Sequence, residues 1–405
     1  MVRRRNPRYY QGEFQDILQA IFSGKMSSGS YTALFEKKFA EYIGTKFALA
    51  TCSGRNALGL LLDAFELKEG DEVIMPAYTL KDLVRLIKEK GLVPKLVDIE
   101  KESFNIDPHL IPREITSRTR AIIATHLFGL PSDMEKILEV AKQYNLTVIE
   151  DCAHALGARL KGRRLGALAD AGFFSFETIK AINTFGGGMI TTNNEKIIEN
   201  IKSKLENYPA HNFGLIGKIF FSYLEDLLIK SPLYPLAVSA FMNRRAAKIV
   251  SSIYLSMHNV TRIKKVRFSN LQATLGLRQL ASLEQRNELR DGLAGELEKK
   301  LNKQVSYQTS PNSEDRIFYF FVIKLLKSGC AIEEVRKKLM VSGIDSGIKN
   351  EITDNCAKYL GQEERFPVAG EIYERALQLP LYDNMTVKEL DSIAGALNRI
   401  LTKDD

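Results

Sequence analysis

The strongest constraint on this chain is an alternation that repeats between residues 46 and 205. Seven short apolar runs occur there: KFALAT, DEVIMPA, PKLVDI, RAIIATHLF, LTVIED, AGFFSF and GGMITTN. Several are separated by amphipathic stretches such as NALGLLLDAFEL, LKDLVRLIKEK and SDMEKILEVAKQY. The runs are rich in β-branched and aromatic residues and apolar on both faces, which is the pattern of strands buried on both sides. Strand, helix, strand in repetition implies an α/β fold whose mostly parallel sheet is sandwiched by helices. Ser132 followed by Glu135 reads as a capping box opening the helix of SDMEKILEVAKQY. Ligands of such sheets bind beyond the carboxyl ends of the strands, so chemistry is expected just after each run.

Length and composition set the frame around this core. At 405 residues the chain accommodates one large core and a second, smaller one. We divide it into an N-terminal arm (1–30), a large domain (31–205), an insertion (206–265) and a smaller C-terminal α/β domain (266–405). The last opens with one long helical candidate, SNLQATLGLRQLASLEQRNELRDGLAGELEKKL, and closes with VKELDSIAGALNRIL. Apolar residues at 45% and charged residues at 26% fit a soluble globular protein and exclude a disordered or fibrous chain. The net charge of +8 is too small to argue for nucleic acid, and no helix-turn-helix signature is evident. Cys52, Cys152, Cys330 and Cys356 share no CxxC spacing, and His109, His126, His154, His211 and His258 are scattered. This argues against a disulfide framework and a zinc cluster. No secretory signal follows the basic start, and no run approaches the roughly 20 apolar residues of a membrane span. A cytosolic location is the expectation.

Three strand-end motifs could carry chemistry. Thr51-Cys52-Ser53-Gly54-Arg55-Asn56 lies between a strand and a helix. Such a turn either cradles an anion on its free N–H groups or is only a tight turn. Asp151, in Glu150-Asp151-Cys152-Ala153-His154, ends a buried run, where a carboxylate needs a cationic or N–H partner. It reads as an N-cap, a structural ion pair or a functional acid. Lys180, in Ser175-Phe176-Glu177-Thr178-Ile179-Lys180, precedes the cluster Gly186-Gly187-Gly188. It is either a solvated lysine or a desolvated amine able to form a Schiff base. Phosphate turn, acid and lysine in this order match the needs of pyridoxal phosphate: a phosphate cradle, an acid for the ring nitrogen and a lysine.

At this level the chain resembles the DegT/DnrJ/StrS-type sugar aminotransferases, within the fold type I pyridoxal phosphate enzymes. The resemblance covers roughly residues 20–205 and 266–400. It rests on SGKMSSGSYTALFEKKFAEYIGTKFALATCSGRNAL, GDEVIMPAYT, THLFGLPSDMEKI, VIEDCAHALGA, GFFSFETIK, GGGMITTN, RFSNLQATLGLRQL and FPVAGEIYERALQLPLY. It implies that Lys180 holds the cofactor covalently and then moves protons, and that Asp151 keeps the pyridine nitrogen protonated. His154 would sit near the phenolic oxygen. Ser175 and the backbone N–H groups of Arg55 and Asn56 would bind the phosphate. An amino-acid donor, L-glutamate, and a keto-sugar acceptor are implied, as is a homodimer with shared active sites.

Three positions depart from the family pattern. Leu80 stands where an aromatic residue usually covers the cofactor ring, a stack worth about 1 kcal/mol. Phe185-Gly186-Gly187-Gly188 lacks the glutamate of G-E-G-G. Lys265 replaces an asparagine in a segment that, in the family, reaches the neighbouring subunit's phosphate. The first two support an alternative reading, a non-catalytic relative that binds a ligand or partner. The insertion is distinctive as well: residues 201–265 hold ten Lys/Arg and three Asp/Glu, nearly all of the net charge. Ile216, Phe220, Tyr223, Leu224 and Leu227 recur at helical spacing, opposite Lys218, Ser222, Glu225 and Asp226, before Pro232 and Pro235 stop or kink the helix. Arg244, Arg245 and Lys248 follow. Segment 213–248 thus reads either as peripheral contact with the inner membrane face or as a hairpin packed on its own subunit or across a dimer.

Overall fold

The computed structural model describes residues 1–4, 10, 12–23, 26–27, 29–210, 213–232, 265–310, 316–326 and 331–402. Pro235, Arg244, Arg245, Lys248, His211, His258 and Cys330 lie outside the described residues. All seven apolar runs are strands of one sheet. They are β1 (Phe47–Thr51), β2 (Glu72–Pro76), β3 (Val93–Val97), β4 (Thr119–Thr125), β5 (Thr147–Asp151) and, past the small hairpin of β6 (Arg159–Leu160) and β7 (Arg163–Arg164), β8 (Ala171–Ser175) and β9 (Gly188–Thr192). The strand order is β1-β9-β8-β5-β4-β2-β3. The β2/β3, β2/β4, β4/β5 and β5/β8 pairs are parallel, whereas β9 runs antiparallel to both β1 and β8. Six strands therefore point one way, and their carboxyl ends share one edge.

Helices cover both faces. Alternate strand residues divide between two cores, Val73, Met75, Ile123 and Ile149 on one side, Ile74, Ile122 and Val148 on the other. This is the period-2 burial of a sheet with no wet face. Before the sheet come α1 (Glu13–Phe22) and α2 (Tyr31–Ile43). Within it are α3 (Gly54–Ala64), α4 (Lys81–Glu89), the single turn α5 (Ile111–Glu114) and α6 (Met134–Tyr144), then α7 (Glu195–Glu206) and α8 (Phe213–Lys230). The expected capping box of α6 does not form. Asp133 is the N-cap, accepting from the Lys136 N–H, while the buried Ser132 hydroxyl donates to the Thr125 carbonyl at the end of β4.

The C-terminal part carries α9 (Asn270–Ala281), α10 (Leu283–Lys300), β10 (Val305–Tyr307), β11 (Phe321–Leu325), α11 (Ile332–Val341), β12 (Gly347–Ile348), α12 (Cys356–Leu360), α13 (Pro367–Arg375), β13 (Ala376–Leu379) and α14 (Val387–Thr402). Its sheet, in the order β10-β11-β13-β12, is antiparallel throughout. The long helical candidate is two helices, because Ser282 leaves helical geometry at φ −107°, ψ 5°. α9 itself opens with a capping box between Ser269 and Gln272. The two parts meet beside the parallel sheet's carboxyl edge. There Ile317 and Tyr319 donate their N–H groups to the carbonyls of Gly129 and Phe128. Gly129, at φ 99°, is required because a Cβ would collide with the Ile317 carbonyl.

Glu150, on the opposite face of β5 from Asp151, secures the end of that strand. It is fully buried and accepts the N–H groups of Gly166, Leu168 and Ala169 at 2.8, 2.8 and 3.0 Å. It also faces His126 Nε2 at 3.2 Å. Glu150→Ala strands these donors in the core and should destabilise the fold by about 3 kcal/mol. Chemical denaturation would measure this, and a loss within experimental error of zero would refute the assigned role.

Candidate active site

The carboxyl edge gathers the three sequence motifs. β1 ends in the turn Cys52-Ser53, and α3 starts at Gly54 with Ser53 as its N-cap. Ser175, ending β8, lies against this helix start: a Cβ on Gly54 would stand 3.1 Å from the Ser175 Cβ. A Cβ on Gly188 would meet the Gly54 nitrogen and the Phe174 carbonyl, each at 2.7 Å. The absence of side chains thus lets β1, β8 and β9 close around one small cradle. Within it the Asn56 N–H donates to Ser53 Oγ at 3.1 Å, so in this structure that amide caps its own helix. The Arg55 guanidinium turns away to Asp82 on α4, 3.0 Å distant.

Asp151 ends β5, the strand beside β8, and is 5% exposed. Its Oδ1 accepts the Ala153 N–H at 3.0 Å. Burial pushes this carboxyl above the ordinary range, opposed by that hydrogen bond and by the charges of Lys180 and His126. Lys180 is half-buried in the loop between β8 and β9. Desolvation lowers its ammonium to about 8, with Asp151 and Glu177 acting in the other direction. The acid and the lysine, 29 positions apart in sequence, feel each other's charge.

His154 is 8% exposed, and its Nδ1 has no hydrogen-bond partner among the described residues. Burial and the Lys180 charge push its ring well down from the usual histidine range, keeping it neutral. The ring stacks on Tyr319 at 4.3 Å and on Phe128 at 5.9 Å. Tyr319 also lies under Lys180, whose Nζ is 4.8 Å from its ring centroid. Sequence reading missed Tyr319. It arrives from the C-terminal part, and only its place in the aromatic run IFYFF could have drawn attention to it.

The lysine loop is held from several sides. Gln272 Nε2 donates to the carbonyls of Thr184 and Gly186, and Gln279 bonds both the N–H and the carbonyl of Asn183. Glu177 binds Lys218 of α8 at 2.7 and 2.9 Å. The glutamate absent from position 186 has a neighbour in its place: Glu177 Oε1 lies 3.6 Å from where a Gly186 Cβ would stand.

Two expected positions sit at the rim. Leu80, the N-cap of α4, is 37% exposed and stands apart from the buried cluster. Lys265 is exposed, and the backbone of the next residue, Val266, hydrogen-bonds the Cys52 thiol of the same chain. This segment therefore borders its own phosphate-type turn, held there because Arg267 donates to the carbonyls of Tyr208 and Glu206 and Phe268 packs on Gly187. The fold also gathers His126, Glu150 and Cys152, whose ligating atoms lie within 4.8 Å, although the sequence scatters its histidines. Glu150 is already satisfied by backbone donors and His126 Nδ1 accepts the Ser132 N–H, so this cluster serves to brace β5.

A lysine with a lowered ammonium that feels the charge of a buried aspartate, at the carboxyl edge of a parallel sheet and beside a glycine-lined turn at a helix start, is the setting of an α/β enzyme built around a reactive amine. Residues 8–398 match the DegT/DnrJ/EryC1/StrS aminotransferase family, and the chain belongs to that family. It is 30% identical over 395 residues to the dTDP-3-amino-3,6-dideoxy-alpha-D-galactopyranose transaminase of Aneurinibacillus thermoaerophilus, covering 96% of each chain. It is 31% identical over 405 residues to the GDP-perosamine synthase of Caulobacter vibrioides, covering 98% of this chain and 97% of that one. Its fold superposes with a TM-score of 0.76 at 23% identity on Spr1654 from Streptococcus pneumoniae, solved in a PLP form, over 98% of both chains.

The depressed Lys180 makes a direct prediction. In the cofactor-free protein its acylation by an amine-reactive reagent should rise with pH to a midpoint near 8, read by peptide mass spectrometry. A midpoint near that of a solvated lysine, about 10.4, would show that burial does not tune this amine.

Proposed function

We propose that this chain is a pyridoxal phosphate-dependent aminotransferase that carries an amino group from an amino acid, L-glutamate, to a keto group on a nucleotide- or lipid-linked sugar. The observation that carries the reading is the charge coupling of the half-buried Lys180 with the buried Asp151 at the carboxyl edge of the sheet. Family membership supports the reaction class. The names of the two relatives, a dTDP-sugar transaminase and a GDP-perosamine synthase, support an activated sugar as acceptor.

The residues present fit the cofactor. Asp151 is a buried carboxylate raised by desolvation, and a protonated ring nitrogen is the cationic partner that would offset its burial. His154 Nδ1 is a buried polar atom open to a further partner such as a phenolic oxygen. Ser175 and the N-terminus of α3, including the Arg55 and Asn56 amides, form an anion cradle once Ser53 yields its cap. When bound, pyridoxal phosphate supplies the electron sink that makes an amino acid's α-hydrogen acidic. Lys180 does the proton work: with its amine lowered toward neutrality, Nζ takes a proton from carbon and returns it at a neighbouring atom. Tyr319 and Phe128 keep the His154 side of the site dry and fix the imidazole plane. Leu80 and Lys265 are exposed at the rim, and we infer a cytosolic homodimer with shared active sites, as the family resemblance implies. No observation favours the non-catalytic alternative.

Purified protein supplied with pyridoxal phosphate and L-glutamate should aminate at least one member of a panel of nucleotide- and lipid-linked keto sugars. Lys180→Ala should lose about 10^4-fold in rate, and Asp151→Asn about 10^2- to 10^3-fold, with thermal unfolding little changed. Donor-independent optical spectra in the wild-type protein would overturn the reading. Light scattering at twice the 45.6 kDa chain mass tests the dimer.

A further inference from the structure

Lys180 has a neighbour that the sequence does not place beside it, the ring of Tyr319. Nζ lies over that ring, 4.8 Å from its centroid, and the same ring stacks on His154 at 4.3 Å with an interplanar angle of 19°. Tyr319 is 5% exposed, and its backbone is fixed. Its N–H donates to the Phe128 carbonyl at 3.2 Å, and the Ile317 N–H donates to the Gly129 carbonyl at 3.2 Å. Phe128 accepts from a left-handed backbone, φ 56°, ψ 13°, which a bulky residue rarely adopts. Such strain persists where the surrounding structure holds it, and it gathers at functional sites. The turn after β4 and the segment before β11 thus meet main chain to main chain, and their meeting delivers one aromatic face to one amine.

The charges around the amine leave that contact to the ring. Asp151 acts on Lys180 through charge, while its Oδ1 is engaged by the Ala153 N–H. Glu177 is paired with Lys218 of α8 at 2.7 and 2.9 Å. Arg286 of α10 donates to the Ala181 carbonyl, bringing positive charge to the residue next to Lys180. His154 is held neutral by burial and by the Lys180 charge. Neither carboxylate forms an ion pair with Nζ, so the amine rests on Tyr319.

We propose that Tyr319 is the positioning residue of Lys180, its ring seating the amine beside His154 whenever that amine is not covalently engaged. The role rests on the aminotransferase reading, in which Lys180 is held covalently at rest and released to move protons. A released amine on a flexible stem loses alignment, and misplaced groups transfer protons slowly. A carboxylate in contact would keep the proton on the amine. A ring face attracts the ammonium through its quadrupole but offers no lone pair to retain the proton, so the amine stays both placed and able to trade it.

Acylation of Lys180 in the cofactor-free full chain, followed against pH by peptide mass spectrometry, tests the seat. Tyr319→Phe keeps the π-face and should keep the midpoint near 8. Pentafluorophenylalanine at position 319 keeps an apolar ring of similar size but reverses its quadrupole. The ammonium then loses its attraction, and the midpoint should fall by about one unit. In the wild-type chain, selectively labelled Lys180 ε-methylene protons should resonate upfield of those of solvated lysines, because the ring shields them. Equal midpoints for the two ring variants, with thermal unfolding like wild type, overturn the proposal. An unshifted ε-methylene signal also overturns it, and decides alone if the variants do not fold. Failure of the aminotransferase reading shows differently, as a chain that aminates no keto sugar yet keeps the midpoint difference.

Discussion

The site depends on a pair of opposite charges, the buried Asp151 and the half-buried Lys180, held where water screens them only in part. Asp151 ends β5 and Lys180 lies in the loop that follows β8, and because β5 and β8 are hydrogen-bonded parallel neighbours both reach the same edge of the sheet. Burial alone would make the carboxylate bind a proton and the ammonium release one, and each side chain limits that tendency in the other. The result is an acid that calls for a cationic partner and an amine poised near neutrality. Both properties belong to the protein before any ligand arrives.

Keeping that pair in register requires the strand ends to be fixed, and the chain does this with backbone-directed hydrogen bonds. Glu150 gathers three N–H groups and His126 beneath β5. Gln272 and Gln279, both on α9, hold the carbonyls of the lysine loop. Side-chain amides and carboxylates bonded to main chain are stiff, because they fix atoms that cannot rotate away. Gly188 and Gly54 add a second constraint, since any side chain there would push β1, β8 and β9 apart and open the cradle. The departures from the family pattern look milder against this frame. A carboxylate still stands beside Gly186, supplied by Glu177, and the lysine loop gains a tie to α8.

α8 shows how one helix can serve two surroundings. Its buried stripe is narrow, Leu215, Ile219, Ser222 and Ile229, and it grips the flank of the loop that bears the lysine. Its broad apolar stripe remains in water next to the exposed side chains of α1. Hydropathy alone would bury the broad stripe and expose Lys218 and Ser222. Lys218 instead turns inward because Glu177 offers it a partner, and a paired charge can be half-buried where an unpaired one cannot.

Much of this was legible from the chain alone. Seven doubly apolar runs are seven strands, because only a sheet covered on both faces tolerates such segments. Ser175 and Asp151 do end strands and Lys180 follows in the next loop, since connections in a parallel sheet return each carboxyl end to one edge. What sequence could not decide were contacts between segments far apart along the chain. The Ser132 hydroxyl served β4 rather than its own helix, Ser282 broke an apparently continuous helix, and Tyr319 came from the far part of the chain to cover His154. Local pattern fixes which residues face the interior, because periodicity and propensity act over a few residues. Partners, protonation and the direction a helix turns its faces are set by long-range packing, because burial and charge energies exist only once distant segments have met.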